Sequence, residues 1–402
     1  MKVLQLCHRI PFPANDGGNI AMQSIADALI SQGVSLKMMA LNTQKHFIDI
    51  QSLPPDVARK YQLEAVPIDT SIHAKDAFLN LFSSESYNVK RFYSPLFEEK
   101  LSAVLKNEDF DVVIMESIFM TPYITAVRKL SKAKIILRAH NVEHIIWQRL
   151  ASNERNPLKK YYLALLAKGL RKYEVDLLSS LDAILPITRD DANIFTKLGS
   201  KAPMQIIPVG IDLSNNQDQS ADASQLSLFH LGSMDWRPNL EGVKWFLEDC
   251  WNWIHEKFPT LKLFLAGKHF PEDLISRKDP GVICEGEVKD AHAFMKGKQI
   301  MIVPLKSGGG MRVKIIHGMA LGKTIISTTI GAEGIDYSDK VNILIANSPA
   351  EFLSTIEKCL SDKNYCLQIG KEACRLAADK YSNENIGKLL SSFFKSLLTK
   401  NL

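Results

Sequence analysis

Three stretches of the chain carry residue types and spacings suited to chemistry on a phosphate or a sugar. The run PLKSGGGMRVKIIHGMALGKTIIS sets Gly308, Gly309 and Gly310 between an apolar segment ending at Pro304 and a helix-like segment from Arg312 to Leu321, which Gly322 closes. Consecutive glycines ahead of a helix expose amide N–H groups, and the helix start carries partial positive charge, so this arrangement favours an anion. Arg312 and Lys314 add fixed charge in the first helical turn. Cations at that end oppose the helix dipole, a conflict that a bound phosphate relieves. The spacing is not that of a P-loop, which argues against an NTPase.

The stretch RAHNVEH puts Arg138, His140, Asn141 and Glu143 at or just past the end of an apolar run, Ala133 to Arg138. Open α/β sheets hold their ligands at the carboxyl ends of such strands. A lone histidine is more often structural, and it is the cluster of polar types that points to a site. In the third stretch, PFPANDGGN, Gly17 and Gly18 precede a helix-like run from Ile20 to Ile30. Glycines there allow close approach to a phosphate, but simple turn chemistry uses the same residues, and both readings stand.

The elements that must position these stretches follow from hydrophobic patterning. Short apolar runs alternate with longer amphipathic ones, as in repeated βα units around a parallel sheet buried on both faces. Strands are expected at Lys2–Cys7, Ser35–Leu41, Val112–Met115, Ala133–Arg138 and Ala183–Pro186. A second series is expected at Ser227–Gly232, Lys262–Ala266, Val282–Cys284, Gln299–Pro304 and Thr324–Ser327. Between the series SNNQDQSADASQ, Ser214 to Gln225, holds no aliphatic or aromatic residue larger than alanine and reads as a linker or surface loop. At 402 residues the chain exceeds one hydrophobic core. The expected division is a first domain over 1–212, the linker over 213–226, a second domain over 227–378 and a terminal helix over 379–402. In that helix Ser382 or Asn383 caps a face of Ile386, Leu389, Leu390, Phe393 and Leu397.

A net charge of +5, from 49 basic and 44 acidic residues, is too mild for a nucleic-acid binder but suits an anionic small ligand or a membrane-surface contact. Six cysteines without CxxC or metal-ligand spacing read as reduced thiols. The N-terminal apolar stretch is too short for a signal peptide and no window reaches the length of a membrane span, so a cytoplasmic protein is expected. The basic amphipathic run Asn156–Glu174 fits an anionic membrane surface or a solvated helix face, and the aromatic run Trp245–Phe258 reads as a core-facing helix.

Together the stretches IIPVGID at 206–212, LFHLGSMDWRPNLEGVKWF at 228–246 and GGGMRVKIIHGMALGKTIISTTIGAEGI at 308–335 resemble the retaining family 4 glycosyltransferases, over almost the whole chain. The resemblance implies a GT-B fold, two facing Rossmann-like doubly wound domains, with the C-terminal helix crossing back to the first. It implies an acceptor, a glycan or a lipid-linked sugar, on the N-terminal domain and a UDP- or GDP-linked sugar on the C-terminal one, with transfer serving cell-surface polysaccharide biosynthesis. Neither a cofactor nor a metal is required, and nucleic acid is not a partner. By the same resemblance Gly17 and Gly18 lie near the donor diphosphate, and His140 faces the transferred sugar. Gly308, Gly309, Gly310, Arg312 and Lys314 hold the diphosphate, backbone near the loop Gly286 to Asp290, with Gly286 and Val288, holds the nucleobase, and Arg138, Asn141 and Glu143 lie on the acceptor side. The sequence departs from the family at His317, where a glutamate usually binds the ribose hydroxyls. A carboxylate accepts both hydroxyls and a neutral imidazole only one. A non-catalytic nucleotide-sugar or glycan-binding protein and a sugar-nucleotide epimerase are the alternative readings.

Overall fold

The computed structural model describes residues 1–71, 86–213 and 226–399, so the linker expected at 214–225 lies outside the described residues. The chain divides into two compact units, one built from Met1–Gly210 and the segment from Asn383 onward, the other from Ile211–Ser382.

In the first unit six parallel strands run in the order β3-β2-β1-β4-β5-β6: β1 Lys2–Cys7, β2 Ser35–Thr43, β3 Glu64–Ile68, β4 Val112–Glu116, β5 Lys134–Ala139 and β6 Ala183–Pro186. Successive side chains point to opposite faces, so Leu4 and Leu6 enter the core on one side of the sheet, and Val3 and Cys7 that on the other. β3 went unrecognised in the sequence because its run EAVPI carries Glu64 and Pro67. Proline is tolerated there because β3 is the edge strand.

The second unit repeats the plan with β7 Leu228–Leu231, β8 Leu263–Ala266, β9 Val282–Gly286, β10 Ile300–Val303, β11 Thr324–Ser327 and β12 Leu344–Ile345, ordered β12-β11-β10-β7-β8-β9. Counted from its own first strand this is the same doubly wound order. The strand order reverses between β1 and β4 in the first unit and between β7 and β10 in the second, and ligands bind beyond the carboxyl ends at such points.

The terminal helix Asn383–Thr399 packs on the helix Gly17–Ser31. Gly387 makes the approach possible, since a Cβ there would collide with the Ala28 carbonyl oxygen. Its buried face is Ile386, Leu390, Phe394 and Leu397, whereas Leu389 is exposed and Phe393 only half-buried, a rotation from the expected stripe. In the aromatic run, Phe246, Trp251 and Ile254 do face the core of the second unit. All six cysteines are free, and among the described residues no helix is long and apolar enough to cross a membrane.

Candidate functional site

At the reversal point of the first unit, the alternation that buries Val112 and Ile114 carries Glu116 onto the same face at the end of β4. Its carboxylate is fully buried. Oε1 accepts from Gln5 Nε2 at 2.7 Å, and Oε2 lies 2.6 Å from His140 Nε2. Gln5 is held in turn by the Met22 carbonyl at 2.9 Å. A carboxylate placed on one ring nitrogen fixes which nitrogen carries the proton and holds the ring's plane. His8, just past β1, has its Nδ1 3.1 Å from the Glu116 carbonyl oxygen and its ring centroid 5.9 Å from that of His140. Burial first, then the neighbouring His140 and Arg9, push its pKa down to about 3, so His8 is neutral. Ser117, which follows Glu116, takes φ +76, a conformation that costs on the order of 1–3 kcal/mol outside glycine and collects at functional sites.

His140 thus stands where the sequence put it, but its neighbours divide. Arg138 follows Ile136 inward and is fully buried, donating to the carbonyls of Leu185, Ile207 and Pro208. It ties the strand end to the chain after β6 and offers nothing to an acceptor, which corrects the acceptor-side expectation for this residue. Its register partner on β4 is Glu116, whose charge partly offsets the desolvation that pulls the guanidinium down to about 10. Glu143 is likewise buried at the start of the helix Glu143–Asn153. Desolvation, then the nearby Glu174 charge, raise its pKa to about 7, with Asn141 hydrogen-bonded to it. Asn141 itself stays half-buried.

The Gly17, Gly18 turn is also internally satisfied. Asp16 caps the helix Gly17–Ser31, its Oδ1 accepting from Gly18 N at 2.9 Å and Asn19 N at 3.0 Å, and it pairs with Arg9 Nη2 at 2.6 Å. The anion at this helix start is a side chain of the protein, and a Cβ on Gly18 would stand 2.6 Å from Arg9 Nη2 and displace that guanidinium.

The second unit presents the opposite case at its reversal point. The helix Val313–Ala320 has no side-chain cap and no acidic residue in its first turn. Lys314 Nζ donates to Asn239 Oδ1 at 2.8 Å and lies 3.4 Å from His230 Nε2. His230 is fully buried with Nδ1 on the Ile302 carbonyl at 3.0 Å, and burial and Lys314 hold its pKa well below the usual imidazole range. It is a neutral acceptor. Gly232, just past β7, lets this trio close up, since a Cβ there would stand 2.6 Å from Asn239 Nδ2 and 3.0 Å from Lys314 Nζ. Desolvation, then Arg312, bring the Lys314 pKa down to about 7. A buried ammonium held by two neutral acceptors is a site short of negative charge.

Arg312 precedes the helix rather than opening it. Its guanidinium is 5% exposed, lies 5.0 Å over the Trp236 ring and donates from Nη1 to the Gly309 and Gly310 carbonyls at 2.5 Å. It braces the glycine loop from behind. Gly308 and Gly310 take φ +115 and +80, and a Cβ on Gly308 would press on Arg312 and Trp236. His317 lies half-buried on the same helix, its pKa lowered by burial and then by His292. Gly286, at φ +64, closes β9 with its carbonyl on Gly267 N at 2.7 Å, and Val288 packs against the core beside Phe294.

Sequence reasoning missed Glu116, Gln5, His8, His230 and Asn239. The available signal was a polar residue inside or closing an otherwise apolar strand, as in VVIME and LFHL.

The family described as Glycosyltransferase Family 4 matches residues 16–215, and Glycosyl transferases group 1 matches residues 225–362. An uncharacterized 44.6 kDa protein in the cps region of Klebsiella pneumoniae is 25% identical over 409 residues, covering 98% of this chain and 99% of that protein. Among solved structures, sucrose-phosphate synthase from Thermosynechococcus elongatus superposes with a TM-score of 0.70 at 14% identity, covering 100% of both chains. HepE of Anabaena, in complex with UDP and glucose, does so with a TM-score of 0.66 at 13% identity, over 98% of this chain and 100% of that one. These likenesses establish the GT-B fold.

Proposed function

Because the chain belongs to the family 4 glycosyltransferases, we propose that it moves a sugar, with retention at the anomeric carbon, from a nucleoside-diphosphate donor to a glycan or lipid-linked acceptor. The observation that carries the donor assignment is the uncompensated Lys314 ammonium beside an uncapped helix start and a glycine loop. In this reading the donor diphosphate lies against Lys314 and the amides at the start of the Val313–Ala320 helix. Arg312 acts through the loop it braces, as a positioning residue.

Charge builds on the leaving diphosphate as the glycosidic bond breaks, and preorganised donors in a desolvated site stabilise it. Lys314 and the helix amides supply that compensation, so we assign no metal and no cofactor to the reaction. UDP is the base-diphosphate we favour, after the ligand of the HepE structure. His140, held by Glu116, faces the transferred sugar and orients it, and the Gly286 to Val288 loop and His317 hold base and ribose. A relative in a cps region supports cell-surface polysaccharide as the product.

The basic helix Pro157–Leu177 leaves Leu158 82% and Tyr161 68% exposed beside Lys159 and Lys160. We propose that it rests on an anionic membrane surface. Co-sedimentation with vesicles containing phosphatidylserine tests this, and a Leu158→Ser, Tyr161→Ser variant that sediments as wild type refutes it.

Incubation with labelled UDP-glucose, GDP-mannose and a mixed acceptor pool tests the main reading. An acceptor-linked α-configured product from an α-linked donor is the expected result, and an inverted product refutes retention.

A further inference from the structure

A cavity of about 740 Å³ opens in the first unit, within the range of small-molecule pockets. Its polar wall carries Arg9, Lys45, His46 and Arg91, and among the described residues no acidic side chain lines it. Two carboxylates stand next to it in the chain or in contact with its lining: Asp16, committed to Arg9 and to two backbone amides, and Asp69, which accepts from Ser71 N at 2.8 Å. Arg91 spends Nη1 on the Thr70 carbonyl at 3.2 Å and lies 5.0 Å over the Phe92 ring, while its Nε is buried without a partner. Thr43 also lines the cavity, and its hydroxyl is buried and unpartnered on a residue 4% exposed. Buried donors without partners are rare in finished structures, and here two collect beside Arg9, whose Nη1 donates to His46 Nε2 at 3.5 Å, the imidazole being held neutral by burial and by Arg9 and Lys45.

The opposite wall is aromatic. Phe92 and Phe119 stack at 4.6 Å, and His8 stands 5.8 Å from Phe119 and 5.9 Å from His140. Phe92 is 7% exposed and Phe119 half-buried, so the pair gives a sugar ring an apolar rim, and the ring contacts run on through His8 to His140, to which the proposed function gives the transferred sugar.

We propose that this cavity is the acceptor subsite and that it recognises a sugar bearing a phosphate group, seated among Arg9, Lys45, His46 and Arg91 with its ring against Phe92 and Phe119. The proposal rests on the glycosyltransferase reading. A phosphate carries nearly two charges and three acceptor oxygens, which matches two guanidinium groups and an ammonium better than the single charge of a carboxylate does.

Glucose 6-phosphate, glucuronate and glucose, titrated calorimetrically in the presence of UDP so that the second unit is filled, test the assignment. Glucose 6-phosphate is expected to bind at least tenfold more tightly than glucose. Lys45→Ala and Arg91→Met should each weaken it by roughly tenfold to a hundredfold, the worth of one charge-assisted hydrogen bond, and by far more than they weaken glucose binding. Lys45 is exposed, so its variant keeps the fold even if Arg91→Met does not. Equal affinity for glucose and its phosphate overturns the proposal, as does a loss of phosphate binding in Lys314→Met but not in Lys45→Ala. A preference for glucuronate overturns the phosphate assignment.

A detergent-dispersed polyprenyl-diphosphate sugar serves as competitor. Displacement of glucose 6-phosphate supports the subsite with a lipid-linked source, and no displacement supports it with a soluble sugar phosphate. A prior titration with UDP alone separates the two readings. A chain that binds no UDP yet binds glucose 6-phosphate through Lys45 sinks the donor reading and leaves this anion site standing.

Discussion

Lys314 gives the donor site a pH dependence that can be worked out in advance. In the free protein its pKa is about 7, depressed by burial and by Arg312, against 10.5 for an ordinary lysine. A diphosphate seated beside it favours the charged form and returns the pKa toward its ordinary value, so binding takes up a proton. The sign follows directly. The contribution of Lys314 to affinity is complete below about pH 7, where the group is already protonated, and is lost as pH rises. Between pH 7.5 and 9.5 the protonated fraction of a group with pKa 7 falls about 75-fold, so affinity should weaken by up to ~75-fold, or ~2.6 kcal/mol. The window is well chosen because the terminal phosphate of UDP finishes its own ionisation near pH 6. Calorimetry in two buffers of different ionisation enthalpy reads both the affinity and the proton taken up. Lys314→Met should bind weakly at pH 7.5 and show no slope, whereas Lys314→Arg, permanently charged, should remove the slope without the loss at pH 9.5. A flat profile in the wild type, or an unchanged slope in Lys314→Met, refutes the assignment of this side chain to the diphosphate.

His140→Ala should lower the turnover rate by ~10²-fold or more while UDP affinity is unchanged. Glu116→Gln should act in the same direction and move the pH–rate profile, a shift that mere packing at this position would not produce. His317→Glu should tighten UDP binding by supplying the second ribose acceptor. In the wild type, binding should weaken only below the ordinary imidazole range, because burial and His292 hold the ring neutral above it. Equal affinities for wild type and variant place the ribose elsewhere. Glu143 is protonated more readily folded than unfolded, so its favourable effect on stability is complete below pH 4.5 and lost as pH rises through about 7. Glu143→Gln should therefore raise the unfolding free energy at pH 8 by up to ~3 kcal/mol and leave it unchanged at pH 4, read from urea denaturation.

Most strands were legible because parallel strands buried on both faces leave continuous apolar runs, and Lys2–Cys7, Ala183–Pro186 and Thr324–Ser327 came out with the expected bounds. β12 was not, because two residues give no period to detect. Around the candidate sites the sequence located the loops at the strand ends but not which way their charges turn. Asp16 fills the first glycine turn, and nothing in PFPANDGGN distinguishes a capping aspartate from one that leaves its amides open. Arg312 folds back over Trp236, an orientation fixed by a residue far away in sequence. Glu116 was invisible for the same reason, since its partners Gln5 and His140 come from strands the sequence does not show to be neighbours.

The terminal helix also sets the order in which the molecule can be completed as it leaves the ribosome. Four core side chains of the first unit, Ile386, Leu390, Phe394 and Leu397, are made only after Ser382, whereas the second unit lies within the single stretch Ile211–Ser382. A nascent chain stalled at Ser382 therefore holds all of its second core and only part of its first. The side of the Gly17–Ser31 helix that Gly387 approaches stays bare of its partner until then. The usual sequence of N-terminal domain first is inverted here. The half whose strands are made earliest is the half that must wait, with apolar surface exposed, until the helix after Ser382 has been made.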